Sequence, residues 1–396
     1  MIRLCHLSDS HLDDRATVAG RIVLDAEGRN IRSLDRIRCF RAAIEGAIER
    51  DCDLIIHAGD LYEHNKPWPS EECAAIEILD LLGDNRPFAI VADNHGNVES
   101  NVEKHAIEPL IGRRPWWYVF TRPELRVIPT KSGPVQVAGL PSPQRSALAA
   151  TEECRGLSPE GLNALITDKL RKVLRFLRSQ LDPSLPAILV AHLKIAGAWM
   201  NAAKRAGDYG EIALSPSDFA GWDYVALGDF HRCQSVAPNA WYSGSTDRCD
   251  HGEETNTPGW LYVGLPGSGL LPVIGRVETP ARRFQTVSLE DLDSPALIAE
   301  ARLAAINLQS CPIYRAMGVL DQDSYDRLAQ ALAGWRSVPT FSESLEVVRT
   351  TRARSELMTG SLSDEDALRL WHSTNGRSED VELLLEEHRR IGPGIR

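Results

Sequence analysis

The sequence has no apolar run that approaches the roughly 20 residues needed to cross a bilayer. It opens on the strand-like run MIRLC rather than on a charged and then apolar leader, so we expect no export signal. Its eight cysteines are scattered without a CxxC pair, which favours reduced thiols and predicts a cytoplasmic protein. A net charge of −11 argues against coating nucleic acid through bulk charge, although local basic patches remain compatible with it.

Several sequence motifs of other enzyme classes are also missing. There is no HExxH, no Gly-x-Ser-x-Gly, and the glycine-rich stretch at 264–269 is not followed by the Lys-Ser/Thr pair of a phosphate-binding P-loop. Neither internal repeats nor low-complexity segments are present. At 396 residues the chain is too long for one ordinary core, so two or more domains are expected.

Short apolar runs alternate with helical patterns along the first two thirds of the chain. One helical stripe in residues 35–50 is formed by Ile37, Phe40, Ala43, Ile44, Ala47 and Ile48. Strand-like runs include MIRLC, CDLIIHAGD, PFAIVADNH, PAILVAHLK and DYVALGDFH. This alternation predicts a layered α/β core.

The predicted strands end in side chains that can bind metal ions. In an extended chain, side chains at i and i+2 point the same way, so Asp9 and His11 could contact the same ligand. In open α/β sheets the functional site lies beyond the carboxyl ends of the strands. The strand-end residues are Asp9, His11, Asp60, Asn94, His95, His192, Asp229 and His231.

Carboxylates, imidazoles and one amide oxygen form a nitrogen–oxygen shell without thiolate. Such a shell suits a catalytic Mn²⁺, Fe²⁺ or Zn²⁺ better than a structural cysteine–zinc site. About seven ligands are too many for one ion, whereas two ions about 3.5–4 Å apart with a shared carboxylate would use them all. The residue set therefore predicts hydrolysis of a phosphate ester.

The order and form of these motifs resemble the calcineurin-like metallophosphoesterases, and among them the SbcD-type DNA-repair nuclease subunits. The resemblance extends over roughly residues 1–270. It is carried by LCHLSDSHL, SLDRIRCFRAAIEGAIERDCDLIIHAGDLYE, VAGLPSP, VAHLKIAGA, YVALGDFHRCQ and YSGSTDR. The fold that it implies is a layered β-sandwich metallophosphoesterase core flanked by helices, with a small α/β cap domain and a C-terminal helical segment.

The resemblance also implies a role for each strand-end residue. The first ion would be held by Asp9, His11, Asp60 and His231. The second would be held by Asp60, Asn94, His192 and Asp229, with Asp60 shared. His95 would lie beside the scissile phosphate as a general acid or to orient it, which an imidazole can do near neutral pH.

The sequence departs from the family pattern at three places. Asp229 replaces a histidine, and its charge favours a harder ion, so Mn²⁺ is preferred, with Mg²⁺, Fe²⁺ or Zn²⁺ as alternatives. The motif Asp93-Asn94-His95-Gly96 lacks the acid that usually follows the histidine, and Asp93 is an auxiliary candidate to replace it. Glu63 stands where some relatives carry a histidine, which makes the following His64 a second auxiliary candidate.

We predict a nuclease domain at residues 1–278, a cap domain that guides DNA at 279–358 and a helical partner-binding segment at 359–396. In the resembling family the last segment docks on an SbcC-type ATPase. The predicted partners are thus DNA and such an ATPase, with no membrane, and a homodimer is also compatible with the resemblance.

The predicted function is a two-metal DNA nuclease, exonuclease or endonuclease, in an SbcCD-like complex of DNA repair or recombination. One alternative is a phosphatase or small-molecule phosphodiesterase of the same fold. Another is a catalytically impaired scaffold subunit, which the altered 93–96 motif would explain.

Overall fold

The computed structural model describes residues 1–93, 97–99, 102–143, 152–154, 156–199, 206, 211–348, and Glu365, Asp366, Arg369, Glu382, Leu385 and Glu386. Asn94 and His95 lie outside these residues, as does most of the predicted C-terminal helical segment. Among the described residues, no helix is long and apolar enough to cross a membrane. All eight cysteines are free of disulfide bonds in the structure.

The strands and helices follow one another in the alternation that the sequence predicts. The first strands are β1 (Ile2–Leu7), β2 (Leu54–His57), β3 (Phe88–Val91), β4 (Asn97–Glu99), β5 (Val102–Lys104), β6 (Trp117–Phe120), β7 (Glu124–Ile128), β8 (Val135–Leu140) and β9 (Ala187–His192). The later strands are β10 (Tyr224–Gly228), β11 (Gln234–Ala237), β12 (Ala240–Tyr242), β13 (Gly259–Leu265), β14 (Val273–Glu278), β15 (Phe284–Val287), β16 (Ile313–Asp321) and β17 (Phe341–Val348). The helices are α1 (Ile31–Glu49), α2 (Pro69–Leu79), α3 (Pro159–Ser179), α4 (Pro295–Ala304), α5 (Gln322–Arg327) and α6 (Ala329–Arg336).

Two six-stranded mixed sheets form the core. Their strand orders are β14-β13-β1-β2-β3-β6 and β11-β12-β10-β9-β8-β7. Within the first sheet β1, β2, β3 and β6 run parallel, and within the second β8, β9, β10 and β12 run parallel. The parallel strands therefore deliver their carboxyl ends to one edge of each sheet, where the side chains predicted to bind metal ions are found.

Three apolar layers hold the two sheets and the helices together. The middle layer joins side chains of both sheets, such as Leu4 and Ile56 from the first and Ile188 and Ala226 from the second. The outer face of the first sheet packs on α1 and α2, and that of the second sheet packs on α3. The predicted layered β-sandwich flanked by helices is confirmed.

The chain divides into two compact units, Met1–Met317 with Gln330–Ser344, and Gly318–Ala329 with Leu345–Arg396. In the first unit, Arg282 is buried and donates to Asp35 of α1, which ties the chain beyond β14 to the core. In the second unit, Arg369 donates to Glu382 at 2.7 Å. The predicted domain boundaries at residues 278 and 358 stay predictions.

The sequence pattern predicts one helix over residues 323–335, between two strands, and this prediction is wrong in its continuity. The structure has two helices, α5 and α6, because α5 ends with its cap at Leu328, whose backbone N–H bonds back to Ser324. Asp321 caps the start of α5 through its side chain, which accepts from the Ser324 N–H at 2.6 Å.

Candidate metal centre

The carboxyl ends of strands from both sheets meet at one place. Asp9 and His11 follow β1, and Asp60 follows β2, all from the first sheet. His192 is the last residue of β9, and Asp229 and His231 follow β10, from the second sheet. Each of the described strand-end residues predicted as a ligand is thereby brought to the same region of the molecule.

The backbone of this region is bent in an unusual way. Six non-glycine residues of the described chain have positive φ, and four of them are predicted ligands: Asp9 (52°), His11 (48°), Asp60 (53°) and Asp229 (99°). Such conformations cost about 1–3 kcal/mol each and persist where the surrounding structure enforces them. Here the Asp9 N–H donates to the Gly59 carbonyl at 3.0 Å and the His11 N–H to the Asp60 carbonyl at 3.1 Å. The surrounding backbone thus holds these residues in the strained turns that aim their side chains.

Asp60 lies between the two sets of histidines. Its Oδ2 is 3.7 Å from His11 Nε2 and 3.5 Å from His192 Nε2. Its backbone N–H donates to Asp93 Oδ2 at 3.2 Å, so the buried Asp93 fixes the turn that presents Asp60. One carboxylate oxygen facing two imidazoles from different sheets has the placement that a bridging ligand needs.

His192 is oriented by a backbone carbonyl and by two glycines. Its Nδ1 donates to the Ala58 carbonyl at 2.8 Å, because a carbonyl can only accept. Its buried Nε2 is therefore the nitrogen left to bind a cation, and it lies 3.5 Å from Asp60 Oδ2 and 3.8 Å from Asp229 Oδ1. A Cβ on Gly59 would lie 2.3 Å from His192 Nδ1, and a Cβ on Gly228 would lie 2.9 Å from it. Metal-binding histidines typically have their other nitrogen fixed in this way.

His11 and His231 also point toward each other. Their Nε2 atoms are 3.0 Å apart. The other nitrogen of each ring faces a carboxylate: His11 Nδ1 is 3.3 Å from Glu63, and His231 Nδ1 bonds to Glu253. With both Nδ1 atoms directed at carboxylates, the two Nε2 atoms face each other, and each can offer a lone pair to a cation that displaces the proton between them.

The electrostatics of the site favour positive charge. Burial opposes protonation of His11, but Cys249, Glu63 and Asp60 outweigh it and raise its pKa to about 9. The pKa of His192 is likewise raised against burial, chiefly by Asp60, and burial raises the pKa of Asp229. Without a cation, protons are therefore drawn to this cluster to offset its carboxylates. Divalent ions would supply the same compensation, so the residues fit a metal centre.

The donor atoms fall into two groups. Asp9, Asp60 and His192 form one group, and His11, His231 and Cys249 form the other, with the atoms of each group within 4.8 Å of one another. Asp9, which the resemblance assigns to the first ion, is grouped here with His192; its Oδ1 also accepts from the Asp229 N–H at 3.1 Å.

Some residues of the site escape prediction from the sequence. Cys249 lacks a spacing partner, and Glu253 comes from the loop after β12, so neither carries a local signal. Glu63 is marked only as a departure from the family pattern. By contrast, the auxiliary candidate His64 is half exposed, lies 3.7 Å from Asp13 and belongs to neither donor group. Asn94 and His95 lie outside the described residues.

A cavity of about 340 Å³ opens beside one donor group. It is lined by His192 and Asp229, and by Lys194, whose ammonium lies 3.6 Å from Glu211 Oε2. The lining thus has one ammonium group beside two carboxylates, those of Glu211 and Asp229, and Ser142 and Asn163 add neutral polar atoms.

The chain belongs to the calcineurin-like phosphoesterase family, whose model matches residues 2–233. It is 24% identical over 302 residues to the DNA double-strand break repair protein Mre11 of Methanosarcina mazei, covering 72% of this chain and 39% of that protein. It is 24% identical over 307 residues to the SbcD subunit of the nuclease SbcCD of Escherichia coli K12, covering 74% and 72%. The Mre11 protein of Aeropyrum pernix is 26% identical over 296 residues, covering 71% and 62%.

The predicted resemblance is confirmed: this is a calcineurin-like metallophosphoesterase with distant homology to Mre11 and SbcD proteins over most of its length. The chain spans about two fifths of the length of the Methanosarcina relatives that it matches.

Proposed function

We propose that this chain is a two-metal-dependent DNA nuclease, the nuclease subunit of an SbcCD-like ATPase–nuclease complex in DNA repair or recombination. The observation that carries the proposal is the position of Asp60, whose Oδ2 faces His11 of one donor group and His192 of the other. The names of the relatives, which are DNA-break-repair proteins and a nuclease subunit, supply the substrate class.

The residues divide the work between them. The first ion would be bound by His11, His231 and Asp60. The second ion would be bound by Asp60, Asp9, His192 and Asp229, and by Asn94, which lies outside the described residues. When bound, the two ions would stabilise charge on the phosphate and lower the pKa of water. Mn²⁺ suits the oxygen-rich second group best.

Protons and the substrate are handled by other side chains. His95 is proposed to stand beside the phosphate as general acid, its role resting on the family motif. Lys194, in the cavity next to Asp229, would attract the phosphate backbone. Glu63 and Glu253 orient the imidazoles of His11 and His231 and so fix which nitrogen is offered to the ion.

We extend the proposal to the organisation of the chain. Residues 1–278 would carry out hydrolysis, 279–358 would guide DNA, and 359–396 would dock an SbcC-type ATPase. These assignments rest on position relative to the family motifs, and a homodimer is compatible with them.

The test is Mn²⁺-dependent cleavage of single-stranded and duplex DNA by the purified chain. Asp60→Asn should abolish cleavage, whereas Asp51→Asn should keep it. Asp51 is a matched control because it also has positive φ, at 55°, but lies outside both donor groups. Both changes keep a residue type that tolerates this backbone conformation.

The same assay separates the alternatives. Hydrolysis of a chromogenic phosphodiester or of nucleotides with no cleavage of DNA would refute the nuclease and indicate a small-molecule phosphodiesterase. Metal binding without hydrolysis of either substrate class would indicate a catalytically impaired scaffold.

A further inference from the structure

We propose that the thiolate of Cys249 binds the first metal ion together with His11 and His231, and that this position prefers Zn²⁺ over Mn²⁺. The proposal rests on the metal centre of the proposed function but does not require that DNA be the substrate. With Cys249 as a ligand, the first metal position would have sulfur and nitrogen donors, whereas the second has mainly oxygen donors.

The spacing of the three donor atoms supports this assignment. The sulfur of Cys249 and one nitrogen of each imidazole lie within 4.8 Å of one another, and the two Nε2 atoms are 3.0 Å apart. Bond lengths of about 2.0–2.1 Å for Zn–N and 2.3 Å for Zn–S place ligands of a tetrahedral ion roughly 3.3–3.6 Å apart. Side-chain adjustments of about 1 Å would therefore close the cluster around one ion.

The two histidines point to a ligand independently of the cysteine. His11 is buried, and both rings turn Nε2 inward because their Nδ1 atoms face Glu63 and Glu253. Two imidazole Nε2 atoms directed at one point are the nitrogen half of a zinc site once the ion displaces their proton to solvent. Cys249 supplies a third donor at that point, and Asp60, whose Oδ2 is 3.7 Å from His11 Nε2, supplies a fourth.

Cys249 is held in place by the same carboxylate that orients His231. Glu253 accepts from the Cys249 backbone N–H at 2.9 Å through one oxygen and bonds to His231 Nδ1 through the other. The preceding carbonyl, of Arg248, accepts from the buried Arg32, which is itself 3.0 Å from Asp247. The loop that carries the thiol is thereby fixed to α1 before any ion binds.

The two halves of the centre differ in chemical character. A soft thiolate with two imidazoles selects Zn²⁺, whereas the group of Asp9, Asp60 and His192, with Asp229 beside it, offers mainly carboxylate oxygens that suit Mn²⁺. On binding, the Cys249 thiol loses its proton to solvent, and the sulfur donates an electron pair to the ion.

The experiment uses Co²⁺ as a spectroscopic probe in the 396-residue chain, with a phosphine reductant to keep thiols reduced. The parent protein should show the near-ultraviolet sulfur-to-cobalt charge-transfer band and the intense visible bands of a four-coordinate ion. Cys249→Ser should lose the charge-transfer band, while Cys233→Ser should keep it. Cys233 is the matched control because it is also half-buried but lies outside both donor groups.

A second readout concerns metal selectivity. Because even outer-shell partners contribute about 10–100-fold to metal affinity, Cys249→Ser should weaken Zn²⁺ binding at least about tenfold. It should leave Mn²⁺ binding at the oxygen-rich position within a few-fold, and circular dichroism should confirm the native fold. A parent protein without the sulfur band, or a Cys249→Ser protein that keeps the band or its full Zn²⁺ affinity, would overturn the proposal. Failure to cleave DNA would refute the nuclease alone and leave these spectra unaffected.

Discussion

Gly228→Ala should disable the metal centre without replacing any of the proposed ligands. A Cβ at this position would lie 2.1 Å from the Ala58 carbonyl oxygen and 2.9 Å from His192 Nδ1. These are the two atoms of the 2.8 Å hydrogen bond that orients His192. Because the nearest atom belongs to the backbone of a neighbouring strand end, relief requires the two sheets to move apart or the imidazole to turn.

The expected losses of stability and of metal affinity follow from these contacts. Overpacking of a well-packed core costs about 1–3 kcal/mol, and loss of the hydrogen bond adds about 1 kcal/mol. We therefore expect the free energy of unfolding to fall by roughly 2–4 kcal/mol. Loss of an orienting partner of a metal-binding histidine lowers metal affinity by about 10–100-fold. Urea denaturation of the metal-free protein measures the first effect, and titration with Mn²⁺ monitored by electron paramagnetic resonance measures the second.

Gly267→Ala is the control for this substitution. A Cβ on Gly267 meets no atom within 4 Å, and its φ does not lie in the left-handed region. It should therefore match the parent chain in both measurements. A Gly228→Ala protein that binds Mn²⁺ with parental affinity would refute the reasoning, because His192 would then not depend on the space that the glycine leaves.

Three further changes test Asp229, His6 and the C-terminal segment. Asp229→Ala should weaken Mn²⁺ binding at one of the two sites at least about tenfold, as measured by metal titration. Asp229→His, which restores the usual family residue, should keep both metal sites and the activity, as measured by metal titration and a nuclease assay. Burial lowers the pKa of His6 to about 3, although its bond to the Leu227 carbonyl partly opposes this shift. In the unfolded chain His6 binds a proton near pH 6.5, so the free energy of unfolding of the metal-free protein should fall as the pH falls from 6.5 toward 3. His6→Gln should reduce this pH dependence, which urea titrations at pH 7.5 and pH 5 measure. A chain ending at Gly360 should keep its metals and cleave single-stranded DNA but fail to co-purify with an SbcC-type ATPase; retention of the ATPase with loss of the metals would contradict the proposed division of the chain.

Much of the site follows from the sequence because parallel strands end at a common edge. A short apolar run ending in Asp60 or His192 places that side chain at the edge whatever the details of packing. The family pattern predicts the shared role of Asp60, and its position between His11 and His192 agrees with that role.

The rest of the site depends on tertiary contacts made by a loop that is distant in sequence from the strand ends. Glu253 and Cys249 lie after β12 and reach His231 and His11 only when the loop folds back over the strand ends. No periodicity marks such residues, since each contributes through a single contact that is distant in sequence. The break between α5 and α6 at Leu328 also escapes prediction, because the apolar pattern continues through it.

The two-metal centre can be tested by a crystal structure of the chain with Mn²⁺, with ions located by anomalous scattering. We expect two ions about 3.5–4 Å apart, both bound to Asp60. In the Asp60→Asn protein, occupancy should fall at both positions. A single ion bound away from Asp60, or two ions that keep full occupancy in the Asp60→Asn protein, would contradict the two-metal centre.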